Sequence, residues 1–233
     1  MNLIAKGNTA EVFDYAEGMI LKLFYSGYAI QFVRREQHNA QLLYDLKLPV
    51  PKCYDLISIN DRHGILYEKI EGTDLVSYLM DGNHYNTVVS ILTKTHKEIL
   101  QHEGKQLPTY KDFVRKVMGD KDMELLAYLG KLPDGNTLCH GDFHPGNVLI
   151  DRNGEIKVID FMNICCGPKD YDIARTYYLM GYSRLPKDIY DQSILTMRKS
   201  LAQDYLEQMG KKAQDIAPYL PVIEKCNAIE VSY

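Results

Sequence analysis

The stretch Leu138-Cys-His-Gly-Asp-Phe-His-Pro-Gly-Asn-Val-Leu-Ile-Asp151 is the densest collection of reactive side chains in the protein. His140, Asp142, His144 and Asn147 lie among Gly141, Pro145 and Gly146, with apolar residues on both sides. A rigid scaffold presents reactive groups on a loop in this way. Phosphoryl transfer needs one carboxylate to orient the attacking hydroxyl and accept its proton. It also needs oxygen ligands for magnesium on the nucleotide phosphates. Asp142 is of the type for the first task. Asn147 and Asp160, the latter in Val158-Ile-Asp-Phe161, are of the type for the second. Two other chemistries share these residues. His140, Asp142 and His144 form a His-x-Asp-x-His triplet of transition-metal ligand types, but the following Pro-Gly-Asn has no purpose in a zinc site. Cys139 is a nucleophile by type, yet neighbours on a strand face opposite ways, and a buried thiol acting as a small hydrophobe is the plainer reading.

These groups must be held by elements that the rest of the chain can be read for. Asn2–Ala5, Ala10–Tyr15 and Met19–Phe24 are short strand-like runs broken by Gly7 and Gly18, which suits a meander. Tyr28–Leu46 has helical spacing, with Ile30, Val33, Ala40, Leu43 and Leu46 on one face and Pro49 and Pro51 as the stop. Lys52–Ile59 and Gly64–Ile70 read as strands around a polar turn, Asn60–His63. After Gly72 the chain turns helical: Tyr85–Gln101, Asp112–Met118 and Met123–Leu129, then Tyr171–Met180, Asp188–Met209 and Ile216–Ile229. Between the two helical groups, Thr137–Asp160 returns to strands, with a hairpin of Asn147–Asp151 and Glu155–Ile159 closed over Asn153-Gly154. The expectation is an α+β, bilobal molecule. Residues 1–70 form a β-rich N-lobe with one long helix, and residues 71–233 form a larger helical C-lobe holding the hairpin. The hinge falls near Glu68–Gly72, and a two-lobed molecule binds ligand in the cleft between its lobes.

His-x-Asp-x-x-x-x-Asn with a downstream Asp-Phe is the spacing of a kinase catalytic set. His140–Asn147 further resembles the signature of the aminoglycoside phosphotransferase and choline kinase-like family of small-molecule kinases. Asn147-Val-Leu-Ile-Asp151, Ile159-Asp-Phe161 and Gly167-Pro-Lys-Asp-Tyr-Asp-Ile-Ala174 are similar too. The resemblance implies a protein-kinase-like fold and a transfer, dependent on ATP (or another NTP) and Mg2+, of the γ-phosphoryl group to a hydroxyl of a small molecule. Asp142 would be the catalytic base, and Asn147 and Asp160 the magnesium ligands. His140 and Asp172 would support the loop, and His96 would be structural. Lys6–Val12, with Gly7, Asn8 and Thr9, stands where the family has its phosphate-covering loop, although it carries one glycine where such loops often have more. Lys22 would meet the α- and β-phosphates, Glu36 would pair with Lys22, and the backbone of Glu68 through Ile70 would meet adenine. Phe161 is followed by Met162, not by the glycine of protein kinases, and no segment reads as a long activation loop. A compact atypical protein kinase and a non-catalytic nucleotide-binding module are the alternative readings.

Bulk composition bounds these readings. Lys and Arg number 27 against 31 Asp and Glu, a formal charge of −4, which argues against a nucleic-acid-binding surface. No apolar run is long enough to span a bilayer, and Met1–Gly7 lacks a signal pattern, so a cytoplasmic protein is expected, with no nucleic acid or membrane partner. Five irregularly spaced cysteines make a poor disulfide framework and suit reduced thiols. The aromatic set is 18 Tyr against 6 Phe and no Trp, so many aromatic side chains carry a hydroxyl that wants a partner. Tyr177, Tyr178, Tyr182, Tyr190, Tyr205 and Tyr219 fall in the helices expected to build the acceptor pocket, and Tyr178 and Tyr182 are the chief candidates for meeting the acceptor. The near balance of charge in residues 186–233 does not single out a polycationic aminoglycoside.

Overall fold

Alternation along a strand sends successive side chains to opposite faces, so in Met19-Ile-Leu-Lys-Leu-Phe24 the leucines face one way and Lys22 the other. A computed structural model describes residues 1–82, 84–120, 122–184 and 191–230. In it, strands β1 (Asn2–Lys6), β2 (Ala10–Ala16), β3 (Met19–Phe24), β4 (Cys53–Ile59) and β5 (Arg62–Glu68) form one antiparallel sheet in the order β1-β2-β3-β5-β4. Leu21, Leu23 and Leu66 make an apolar cluster covered by Phe13, Ile57 and Ile59. β5 begins at Arg62, earlier than the expected Gly64, because Asn60 takes a left-handed conformation (φ 54) that closes the hairpin in a short turn.

Helix α1 (Ile30–Asp45) packs on β4 and β5. Its buried stripe contains Val33, Ala40 and Leu43, but also Glu36 and Asn39. Lys47, at φ 62, ends the helix together with a Leu48 N–H to Leu43 carbonyl bond of 3.2 Å, a Schellman ending, so Pro49 and Pro51 follow the stop instead of causing it.

The contacts divide the chain into two compact units: Met1–Asp74 with Asn147–Met162, and Leu75–Gly146 with Asn163–Tyr233. This is not a single break at residue 70. The hairpin β8 (Val148–Asp151) and β9 (Ile156–Val158) belongs to the first unit, because β6 (Gly72–Asp74) pairs with β8 and the Val158 N–H donates to the Pro49 carbonyl at 2.7 Å. Asn147 itself lies in a 3-10 turn, Pro145–Asn147, ahead of β8. At the hairpin tip one Asp151 carboxylate oxygen accepts from the N–H groups of Asn153 and Glu155, both at 2.8 Å.

The second unit is mainly helical. It holds α2 (Leu75–Met80), α3 (Tyr85–Ile99), α4 (Tyr110–Met118), α5 (Met123–Lys131), α6 (Lys169–Gly181), α7 (Gln192–Gln208), α8 (Ala213–Ile216) and α9 (Leu220–Glu230), with β7 (Thr137–Cys139) paired antiparallel to β10 (Cys165–Gly167). Tyr171–Thr176 of α6 is buried at every residue, the mark of a helix packed on all sides. The span Ile216–Ile229, expected as one helix, is α8, a 3-10 turn containing Pro218, and α9, since Pro cannot donate inside a helix. α7 starts at Gln192 on an Asp191 cap. Asp188 and Tyr190, where the helix and one aromatic candidate were expected, lie outside the described residues.

Candidate active site

In the first unit, Lys22 and Glu36 come together from different elements. Lys22 Nζ donates to Glu36 Oε1 at 2.6 Å and lies 3.5 Å from Asp160 Oδ1. The Tyr67 hydroxyl donates to the same Glu36 oxygen at 3.3 Å, while Oε2 is buried without a hydrogen-bond partner. The group is thus one cation between two carboxylates, and its electrostatics follow. Burial opposes charge on Lys22, but Glu36 and Asp160 outweigh it and hold the ammonium firmly protonated. Burial raises Glu36 above the usual carboxylate range, with Lys22 pulling it back and Asp160 pushing it further up.

Asp160 follows β9 in a left-handed conformation, φ 67, which a non-glycine residue adopts only when its surroundings impose it. The preceding Ile159 N–H donates to the Asn147 carbonyl at 2.9 Å, which brings the backbones of the two expected metal ligands together. An amide and a carboxylate are hard oxygen donors that fit magnesium. Among the described residues no group of three or more His, Cys, Asp or Glu could hold a metal ion, so these two would share it with phosphate and water oxygens.

Gly7–Thr9 is the turn between β1 and β2. The Gly7 N–H bonds to the Ala10 carbonyl, the Tyr25 N–H to the Thr9 carbonyl, and the Tyr25 hydroxyl to the Gly7 carbonyl. At the end of β5, the Glu68 N–H donates to the Lys52 carbonyl and the Ile70 carbonyl accepts from Gly72 N–H.

In the second unit, the loop after β7 carries Asp142 and is gripped through its backbone. Asp172, on α6, accepts from the His140 N–H at 2.7 Å and the Gly141 N–H at 2.9 Å. His96, on α3, donates from Nε2 to Asp172 at 3.0 Å, which leaves Nδ1 to accept from the Tyr205 hydroxyl at 2.5 Å. Burial would raise the Asp172 carboxyl, but His96 and the Gly141 N–H outweigh it and hold it below its usual value. The carbonyl of Gly141, in the next peptide, is taken by Arg175, whose Nε donates to it. Arg175 is only 2% exposed; its Nη2 meets both Glu230 carboxylate oxygens at 3.1 Å, and its guanidinium lies 5.1 Å from the Phe113 ring centroid. Gly141 is required here: φ is 75, and a Cβ would collide with the Asn163 carbonyl. Within the loop, His140 Nδ1 accepts from the Asp142 N–H and His144 Nδ1 from the Gly146 N–H. The Cys139 thiol touches Cys165 and is buried, and both effects push it well above its ordinary range, which disfavours the thiolate a nucleophile needs.

The family model described as "Phosphotransferase enzyme family" matches residues 2–202. The chain belongs to this family. It is a phosphotransferase. Solved structures share the fold. Aminoglycoside-3'-phosphotransferase of type VIII is 15% identical with a TM-score of 0.62, covering 97% of this chain and 91% of that one. APH(3'')-Id from Streptomyces rimosus ATCC10970, solved with ADP and streptomycin, is 15% identical with a TM-score of 0.61, covering 93% and 90%. APH(4)-Ia is 15% identical with a TM-score of 0.59, covering 99% and 92%. At these identities the likeness speaks for the kinase-like α+β fold alone. No curated protein sequence matches the chain. Among the described residues, no helix is long and apolar enough to cross a membrane.

Tyr178 and Tyr182 lie at the end of α6, where Tyr182 is 46% exposed. The Tyr177 and Tyr182 hydroxyls are 2.9 Å apart, and the Tyr178 and Tyr182 rings stack with centroids 6.3 Å apart. Burial and the bond to Tyr182 push the Tyr177 hydroxyl up to about 12. Arg198 of α7 fixes this helix end by donating to the carbonyls of Leu179 and Ser183. Tyr205 and Tyr219 are buried in packing.

Sequence reasoning missed Arg175, Glu230, Tyr205 as a partner of His96, and Asn39. Arg175 stands one turn after Asp172 in a helix otherwise rich in buried residues, and a charge so placed must find a partner. Asn39 stands three residues after Glu36, on the apolar stripe of α1, so both positions carried a signal.

Proposed function

We propose that the phosphoryl donor is ATP and that Asp142 orients the acceptor hydroxyl and takes its proton. The observation that carries the donor side of this reading is the Lys22 ammonium held 2.6 Å from Glu36 and 3.5 Å from Asp160, a kinase-type charge arrangement that offers a fixed cation to phosphate oxygens. Lys22 contacts the α- and β-phosphates while Glu36 keeps its ammonium in place. The Gly7–Thr9 turn covers the phosphates, with the Asn8 and Thr9 backbone N–H groups as donors while the Gly7 N–H stays on the Ala10 carbonyl, and the Glu68 carbonyl and Ile70 N–H meet the adenine edge. Asn147 and Asp160 hold Mg2+, which when bound neutralises charge on the transferring phosphoryl group. Asp172 and His140 keep the loop backbone rigid, so the Asp142 carboxylate stays where the acceptor proton is delivered.

The acceptor is a small hydroxylated molecule met by Tyr178 and Tyr182. Tyr178 lies six residues beyond Asp172 on α6, about 9 Å along the helix axis, so one helix both anchors the loop and presents the tyrosines. The solved structures described above are aminoglycoside phosphotransferases, which places aminoglycosides in the panel beside sugars and amino alcohols.

The test is ADP release from Mg–ATP against that panel, with Asp142→Asn as background. An acceptor that raises release well above the background supports the reading. No acceptor doing so would overturn it; phosphate incorporated into protein would favour a compact protein kinase, and ATP binding without turnover a non-catalytic module.

A further inference from the structure

The metal-binding role given to Asp160 leaves open what imposes its conformation. The residue sits at φ 67 with fixed points on both sides. Before it, the Ile159 N–H is held by the Asn147 carbonyl at 2.9 Å. After it, the Phe161 carbonyl accepts from Asn39 Nδ2 at 2.7 Å, and both of these residues are buried, at 2% and 3% exposure. Asn39 is a residue of α1, one turn beyond Glu36 on the same face. One face of one helix therefore grips two things at once: Lys22 through Glu36, and the backbone beyond Asp160 through Asn39.

We infer that Asn39 is a positioning residue for the phosphoryl-transfer reaction, which sets the direction of the Asp160 carboxylate by holding the Phe161 carbonyl. The inference rests on the reading of Asp160 as a metal ligand. The carbonyl is buried, and an apolar side chain at residue 39 removes this bond without replacing it. Outer partners of this kind fix the orientation of a ligating carboxylate, and their loss typically weakens metal affinity by about 10–100-fold.

The experiment titrates Mn2+ into the full chain with ADP and follows water-proton relaxation, with ADP affinity in EDTA measured in parallel by calorimetry. Asn39→Leu and Asn39→Asp should each weaken Mn2+ binding by about tenfold, with metal-free ADP affinity changed less than about twofold. Asn39→Gln, which keeps the donor, should recover part of the loss. Should Asn39→Leu not fold, Asn39→Ser, a smaller change, carries the same comparison. Unchanged Mn2+ affinity in a folded donor-less variant overturns the inference. So does an equal loss of Mn2+ and metal-free ADP affinity, which would mark Asn39 as ordinary packing. Asp160→Asn in the same titration separates the two levels: if it keeps full Mn2+ affinity, the reading of Asp160 as a ligand fails, whatever Asn39 does.

Discussion

The two units hold their chemical groups by opposite means. In the first, the Lys22 and Glu36 side chains hold each other directly, Asp160 Oδ1 lies 3.5 Å from the same ammonium, and one Glu36 oxygen is buried without a hydrogen-bond partner. In the second, Asp142 is carried by a backbone whose N–H and carbonyl groups are bound by Asp172 and Arg175, themselves tied to His96 and Glu230. A charge cluster of the first kind can accept a ligand's charge by redistributing its own contacts. A gripped loop of the second kind keeps a reactive group in place while the ligand changes. On the roles proposed above, binding and chemistry call for different kinds of rigidity.

The contrast can be broken in order of expected effect. Asp142→Asn should lower kcat by about 10³-fold, equivalent to about 4 kcal/mol, with nucleotide affinity unchanged by calorimetry. A matching loss of nucleotide affinity would show that the two sets of groups are not separable. Arg175→Met should destabilise the fold by about 3 kcal/mol in urea denaturation, because it leaves Glu230 and the Gly141 carbonyl without their buried partner. Loss of activity at unchanged stability would instead assign Arg175 a direct part in the reaction.

Next in size are the buried carboxylates, whose pH effects have opposite signs. Asp172 is held below its ordinary 3.8, so the unfolded chain takes up the proton first. Its contribution is present above 3.8 and is lost as the pH falls through the lower folded value. Glu36 is raised above its ordinary 4.5, so its ionisation costs stability as the pH climbs from 4.5 through the folded value. Urea midpoints between about pH 3 and pH 7 should therefore show Asp172→Asn flattening the acid-side loss and Glu36→Gln removing the decline above it. Parallel profiles for both variants would remove the contrast. Glu36→Gln should also weaken ATP by about tenfold, through the freed Lys22 ammonium. The smallest effect is expected from Tyr182→Phe, about threefold on acceptor KM with ATP affinity unchanged, the value of one exposed hydroxyl bond. Equal effects on acceptor and ATP would return the tyrosines to packing.

Much of this was legible in the sequence. Strand and helix positions followed from period and turn residues, and the pairing of Lys22 with Glu36, seen at 2.6 Å, was implied by the family resemblance. The less legible parts have physical reasons. Three short elements, β6, α2 and β10, carry too few residues to show a period. The hairpin lies next to helical sequence on both sides, yet packs with the first unit because its partners, Pro49 and Gly72–Asp74, come from there.

What the sequence determined by itself was the set of reactive types: Asp142, Asn147 and Asp160 at kinase-like spacing, which local order alone preserves. What only the tertiary structure decided was the grip on those residues. Asn39 lies 122 residues from Phe161, and Glu230 lies 55 residues from Arg175. No local pattern links such pairs, because a buried polar group accepts any partner that folding brings within reach, and only the packed chain selects one.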